Sequence, residues 1–221
     1  MTARLSGADP LPDVGDVTAE NPLVVVVSAC LLGQEVAYDG SAFPSDPVQA
    51  ICALPNVSAH SLCPEAVQLG TPRRWMSIHH GDGYGVLDAT AKVVNVDGRD
   101  ISDAFRLGAM NMLQLARRHG AVLAILTDIS PSCGSTVVYD GSATEQPAYQ
   151  ASSGVTAALL RRHGIPVISQ RDFATLSRLR AALDPTHEVD AAARDHVDGE
   201  WYQQTFVHPV PEGPEPTFEE A

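Results

Sequence analysis

The chain has no apolar run near the roughly 20 residues that a membrane span needs, and Met1 to Asn21 lacks the basic start and apolar middle of a signal peptide. The expectation is a cytoplasmic protein with no membrane partner. Basic residues are scarce, 14 Lys and Arg against 27 Asp and Glu. The excess acid sits at the ends: ten acids against one arginine from Asp184 on, and four against one in the first 21 residues, so residues 22–183 net only −1 of the chain's −13. A near-neutral body without a basic stripe excludes a nucleic-acid partner held by charge and leaves a small molecule as the expected ligand. There is no internal repeat, and four cysteines in a reducing compartment read as metal ligands, catalysts or buried apolar residues, not as a disulfide framework.

A length of 221 residues with 44% hydrophobic content is enough for one core. The expected division is a disordered N-terminal tail over 1–21, a folded α/β body over 22–183 and an acidic C-terminal extension over 184–221, with the stretch from His208 onward mobile. Within the body, Leu23 to Ser28 is a β-branched apolar run, and Ser45-Asp46-Pro47 opens a short helix through Leu54. Val57 to Leu62 and Lys92 to Val96 read as strands. A long helix runs from Ser102 to His119 and is stopped by Gly120. Ala121 to Leu126 is an apolar strand, followed after an irregular stretch by a helix over 153–163, a strand over 166–169 and a helix over 172–183. Strands alternating with helices predict an α/β fold of three layers, a mostly parallel sheet with helices on both faces.

In such sheets the ligand crevice lies outside the carboxyl ends of the strands. Cys30, Cys63 and Cys133 each follow a strand candidate, so all three are expected at one edge. Thiolates suit iron–sulfur clusters, zinc and copper(I), and three of them leave one coordination position open. The competing reading, a small buried core residue, is a common role for free cysteine and is the preferred one for Cys52 beside Val48 and Ile51.

The segments Ser28-Ala29-Cys30-Leu31-Leu32-Gly33, Tyr38-Asp39-Gly40, Cys63-Pro64-Glu65, Thr71-Pro72-Arg73, Val96-Asp97-Gly98-Arg99-Asp100, Ser130-Pro131-Ser132-Cys133-Gly134 and Tyr139-Asp140-Gly141 occur in an order that resembles the bacterial DUF523 family, whose members include thiouracil desulfidases. The resemblance implies a [4Fe-4S] cluster on Cys30, Cys63 and Cys133, with the fourth iron free to take sulfur from a small thiolated substrate without net redox change. It also implies active-site roles for Glu65 and Ser130. On that reading Glu65 is the base for water attacking a thiocarbonyl carbon, and Asp39, Arg73 and Ser132 are candidates for holding the substrate.

The chain departs from the family around these motifs. The family usually has a lysine shortly before Ser-Pro-Ser-Cys-Gly, where Thr127-Asp128 stands here, and Gly-Gly-Leu-Pro after Cys-Pro-Glu, where Ala66-Val67-Gln68-Leu69-Gly70 stands. Two other functions compete: a zinc–thiolate hydrolase, and a non-enzymatic iron–sulfur carrier. Sequence alone leaves the natural substrate, the oligomeric state and the use of Trp201, Tyr202 and Phe206 open.

Overall fold

The computed structural model describes residues 7–143 and 147–208. Its strands in chain order are β1 Leu23–Ser28, β2 Val57–Leu62, β3 Met76–His79, β4 Lys92–Asn95, β5 Leu123–Leu126, β6 Val137–Tyr139, β7 Tyr149–Ala151 and β8 Val167–Ser169. The main helices are α1 Asp46–Cys52, α2 Ala66–Leu69, α3 Gly83–Leu87, α4 Ser102–His119, α5 Val155–Arg162 and α6 Phe173–Leu183.

Parallel pairing joins four strands in the order β2-β1-β5-β8. Because successive side chains of a strand point to opposite faces, each strand feeds two cores. Val26, Ala124, Leu126 and Val167 pack toward α4 and α5, while Val25, Val27, Leu123, Ile125 and Ile168 pack toward α1 and α6. The three-layer, mostly parallel α/β arrangement agrees with the alternation read from the sequence. Helix α4 runs over the expected residues, with Phe105, Ala109, Met112, Leu113 and Ala116 forming its buried stripe. Gly120 at φ 68° ends it, a left-handed conformation that glycine adopts without strain.

Two antiparallel ribbons, β3 with β4 and β6 with β7, flank the sheet. Only β4 was legible as a strand; Val137–Tyr139 and Tyr149–Ala151 span three residues each, too short for a period of two to stand out from chance.

Packing continues past both ends of the body expected over 22–183. Asp9 accepts hydrogen bonds from the Val167 amide at 2.8 Å and from Arg161 Nε at 2.7 Å, which covers the open edge of β8. Leu11, Val14 and Val17 pack on the α1/α6 core. On the other side His196 and Tyr202 are buried. Residues 1–6 and 209–221, where mobile ends were expected, lie outside the described residues. Among the described residues no helix is long and apolar enough to cross a membrane.

Helix α4 lies hard against the Cys63-Pro64-Glu65 segment because Gly108 has no side chain: a Cβ there would sit 2.1 Å from the Pro64 carbonyl oxygen. Gly108→Ala is expected to force helix and segment apart, lowering stability by about 1–3 kcal/mol as an overpacking change. Thermal unfolding of the variant measures this, and an unchanged midpoint would show that the contact gives way freely.

Candidate active site

Each cysteine comes from the end of a different parallel strand. Cys30 lies in the single 3-10 turn Ala29–Leu32 that closes β1. Cys63 directly follows β2, and Cys133 stands in the loop after β5. All three are free thiols and line one cavity of about 430 Å³ together with Glu65, Arg73 and Ser130. Chain order reverses at β1, whose neighbours are β2 and β5, and a crevice opens where such a reversal occurs. Cys30 Sγ and Thr127 Oγ1 meet across it at 3.0 Å.

Burial pushes the thiol pKa of Cys30 and Cys63 up, and the charge of Glu65 adds to the effect at both. Cys133 is raised well above an ordinary thiol, first by burial and then by Cys63 and Glu65. Against this, the Ala66 amide hydrogen-bonds Cys63 Sγ at 3.4 Å and the Arg73 guanidinium lies 3.8 Å from it. Among the described residues no three His, Cys, Asp or Glu side chains group as ligands of a single ion. Cys52 sits away from the cavity in α1, where burial raises its pKa to about 11.

Glu65 immediately precedes α2 and is nearly buried, with 12% of its side chain exposed. Its Oε2 accepts from Arg73 Nε at 2.9 Å and from Arg73 Nη2 at 2.8 Å, two charge-assisted bonds that converge on and pin this one oxygen. Its Oε1 accepts from Ser130 Oγ at 3.3 Å. Ser130 Oγ in turn accepts the amides of Ser132 and Cys133 at 3.2 and 3.0 Å, so its one proton is directed at Glu65. Carboxylate, hydroxyl and the Cys133 backbone thus form one connected set.

The loop that carries Ser130 and Cys133 is shaped by Asp128. Its Oδ1 accepts the amides of Ile129, Ser135, Thr136 and Val137 at 3.0–3.2 Å. Its Oδ2 accepts from Thr136 Oγ1 and from His196 Nδ1, the latter at 2.7 Å. Burial works to raise the Asp128 pKa, but the hydrogen bond and charge of His196 and the Thr136 bonds outweigh it, and the net direction is down.

Three residues expected to hold substrate are placed differently from one another. Arg73 lines the cavity, yet its guanidinium is committed to Glu65 and to the carbonyls of Val36 and Ala37. Asp39 closes its own Asp-Gly turn by accepting from the Ser41 amide and hydroxyl and does not line the cavity. Ser132 points away as well, hydrogen-bonded to Thr156 on α5 at 2.8 Å. Sequence reasoning missed the aromatic walls of the cavity, Tyr38, Trp75, Tyr139 and Tyr149, and the Thr127 hydroxyl. Tyr38 and Tyr139 stood in quoted motifs and Thr127 at a departure from the family; Trp75 and Tyr149 carry no local signal. A larger groove of about 920 Å³ contains none of the cysteines, and three of its cations, Arg74, Lys92 and Arg106, pair with Asp97, Asp100 and Asp103.

Comparison with known proteins agrees with this geometry. Residues 25–172 match the model of the family described as 2-thiouracil desulfurase. The uncharacterized protein YbbK of Bacillus subtilis (strain 168) is 37% identical over 151 residues, which is 68% of this chain and 97% of YbbK. The solved structure of the [4Fe-4S]-dependent thiouracil desulfidase TudS is 38% identical with a TM-score of 0.58, covering 70% of this chain and 95% of that one. The family match ends at Asp172, before α6, and so leaves the segment containing His196 outside it. It takes in all three strand ends that bear the cavity's cysteines, and on that extent the chain belongs to the 2-thiouracil desulfurase family.

Proposed function

We propose that this chain is an iron–sulfur desulfidase in which Cys30, Cys63 and Cys133 hold a [4Fe-4S] cluster and a small thiocarbonyl compound, such as a thiouracil-like base, loses its sulfur. The observation that carries the reading is the meeting of three free thiols from three strand ends with the Glu65–Ser130 pair in one cavity. The donor set fits the group. Three soft thiols lining one cavity are donors that suit an iron–sulfur cluster. When bound, the cluster supplies an open, thiophilic iron that polarises the carbon–sulfur bond.

The protein's own groups do the remaining work. Glu65 is the base that takes a proton from water through Oε1, since Oε2 is held by both Arg73 donors. Arg73 therefore orients the base. Ser130 keeps the second oxygen aimed into the cavity and ties it to the backbone of a ligand. Trp75, Tyr139 and the other aromatic walls give a planar ring apolar faces to lie against. Asp39 and Ser132 take no part in this reading because neither reaches the cavity. A carrier of clusters would need no oriented carboxylate beside its thiols, and that pair favours an enzyme.

Sulfide release from 2-thiouracil by anaerobically reconstituted protein is the direct test; brown protein with no release from any thiobase would leave the carrier reading. Replacing Cys30, Cys63 or Cys133 with serine is expected to lower iron and sulfide content, since a hydroxyl is a harder ligand than a thiolate. Glu65→Gln should keep the cluster and its spectrum but lower turnover by about 10²–10⁴-fold. Near-normal turnover in that variant would mean another group activates the water. Because burial holds all three thiols protonated beyond the usual range, loading must displace protons. Reconstitution is therefore expected to improve as pH rises from 7 to 8.5, read as iron bound per chain, and a flat profile would contradict it.

A further inference from the structure

The segment after α6 lies beyond the family match and, among the described residues, supplies none to the cavity wall, yet it reaches the charge that shapes the ligand loop. We propose that residues 195–207 form a working buttress of the site and that His196 is a positioning residue for Ser130 and Cys133. The proposal rests on the desulfidase reading only for what the positioned groups do.

Among the described residues, six of the seven donors to the Asp128 carboxylate belong to residues 129–137, the loop itself. The seventh, His196 Nδ1, is the one that comes from elsewhere in the chain. Both partners are sealed, with 0% of the Asp128 side chain and 6% of His196 exposed. The imidazole is itself fixed. Its backbone amide donates to Asp172 Oδ1 at 3.2 Å, and its ring stacks on Trp201 at 5.6 Å with 7° between planes. Trp201 then meets the edge of Tyr149, which packs on Tyr139, and both tyrosines line the cavity. One segment thus touches the loop from behind and the aromatic wall from outside.

The loop needs an outside hold. Ile129 sits at φ 54°, a conformation that a β-branched residue resists, and the amides gathered by Asp128 include those of Ser135 and Thr136, two and three residues beyond Cys133. If the His196 donor is lost, only the loop is left to hydrogen-bond the Asp128 carboxylate. The loop is then free to rearrange around the carboxylate, taking Cys133 and the Ser130 contact to Glu65 with it.

The test uses full-length protein with His196→Leu, which fills the space without a donor, and His196→Asn, whose side-chain amide can donate from near the Nδ1 position. In the apo protein, His196→Leu is expected to speed amide exchange at residues 135–137 and alkylation of Cys133 by about tenfold or more. Amides of β1 and alkylation of Cys63 should stay as they were, and His196→Asn should restore most of the protection. On reconstituted protein the same variant should lose iron to a chelator faster. A uniform rise across all amides, no change at residues 135–137, or an Asn variant as labile as Leu would each overturn the proposal. Should the Leu variant not fold, Trp201→Leu removes the stack behind the ring, together with the Tyr149 and Phe206 contacts of the indole, and must give the same local pattern at residues 135–137. These apo readouts do not depend on whether the cysteines bind a cluster, so failure of the desulfidase reading would show in the Cys→Ser iron contents and not here.

Discussion

A carboxylate sealed from solvent persists in its charged form only where hydrogen bonds and a partner replace its hydration, and Asp128 is such a group. Nearly all its donors are amides and hydroxyls of the following nine residues. Solvating the charge and folding the loop are therefore one event. The loop wraps around Oδ1, turns sharply at Ile129, and presents Ser130 and Cys133 at the carboxyl edge of the sheet. Gly134 makes the wrap possible, since a Cβ there would stand 2.2 Å from the Val137 carbonyl oxygen.

A second buried charge, Glu65, is met in the opposite way, by a single cation. Arg73 gives Glu65 both arms of its fork and places its remaining donors on Val36 and Ala37 carbonyls, which ties the loop after β1 to the segment after β2. The thiols have less compensation. Thr127 reaches Cys30, and the Ala66 amide and Arg73 reach Cys63, but desolvation and the neighbouring charges outweigh them, an arrangement that disfavours three bare thiolates. On the proposed reading, iron shares that charge, so the same burial that holds the apo thiols protonated gives a bound cluster a dry, low-dielectric seat.

Around this edge the protein uses flanking chain as structure. Asp9 caps the open side of β8 through Arg161 and the Val167 amide, and residues 195–207 stack an aromatic series against Tyr149. The family match ends at residue 172, so the matched body carries the candidate ligands and the base while the segment beyond it braces them. A chain with few aromatics, 5% of its residues, concentrates many of them in this wall.

What the sequence determined by itself was whatever repeats over neighbouring residues. The stripe Phe105-Ala109-Met112-Ala116 with Gly120 behind it placed α4, and the β-branched run of Leu23 to Val27 placed a central strand buried on both faces. Those elements, with the rule that crevices open at carboxyl ends, were enough to bring Cys30, Cys63 and Cys133 to one edge, where all three line the same cavity. Side-chain partnership was not legible. Arg73 belongs to Glu65, Asp39 to its own turn and Ser132 to Thr156, because a guanidinium, carboxylate or hydroxyl binds whatever donor or acceptor the turns deliver. The His196–Asp128 contact spans 68 residues, and only the tertiary structure decided it, since no local periodicity encodes where a chain returns after its last helix.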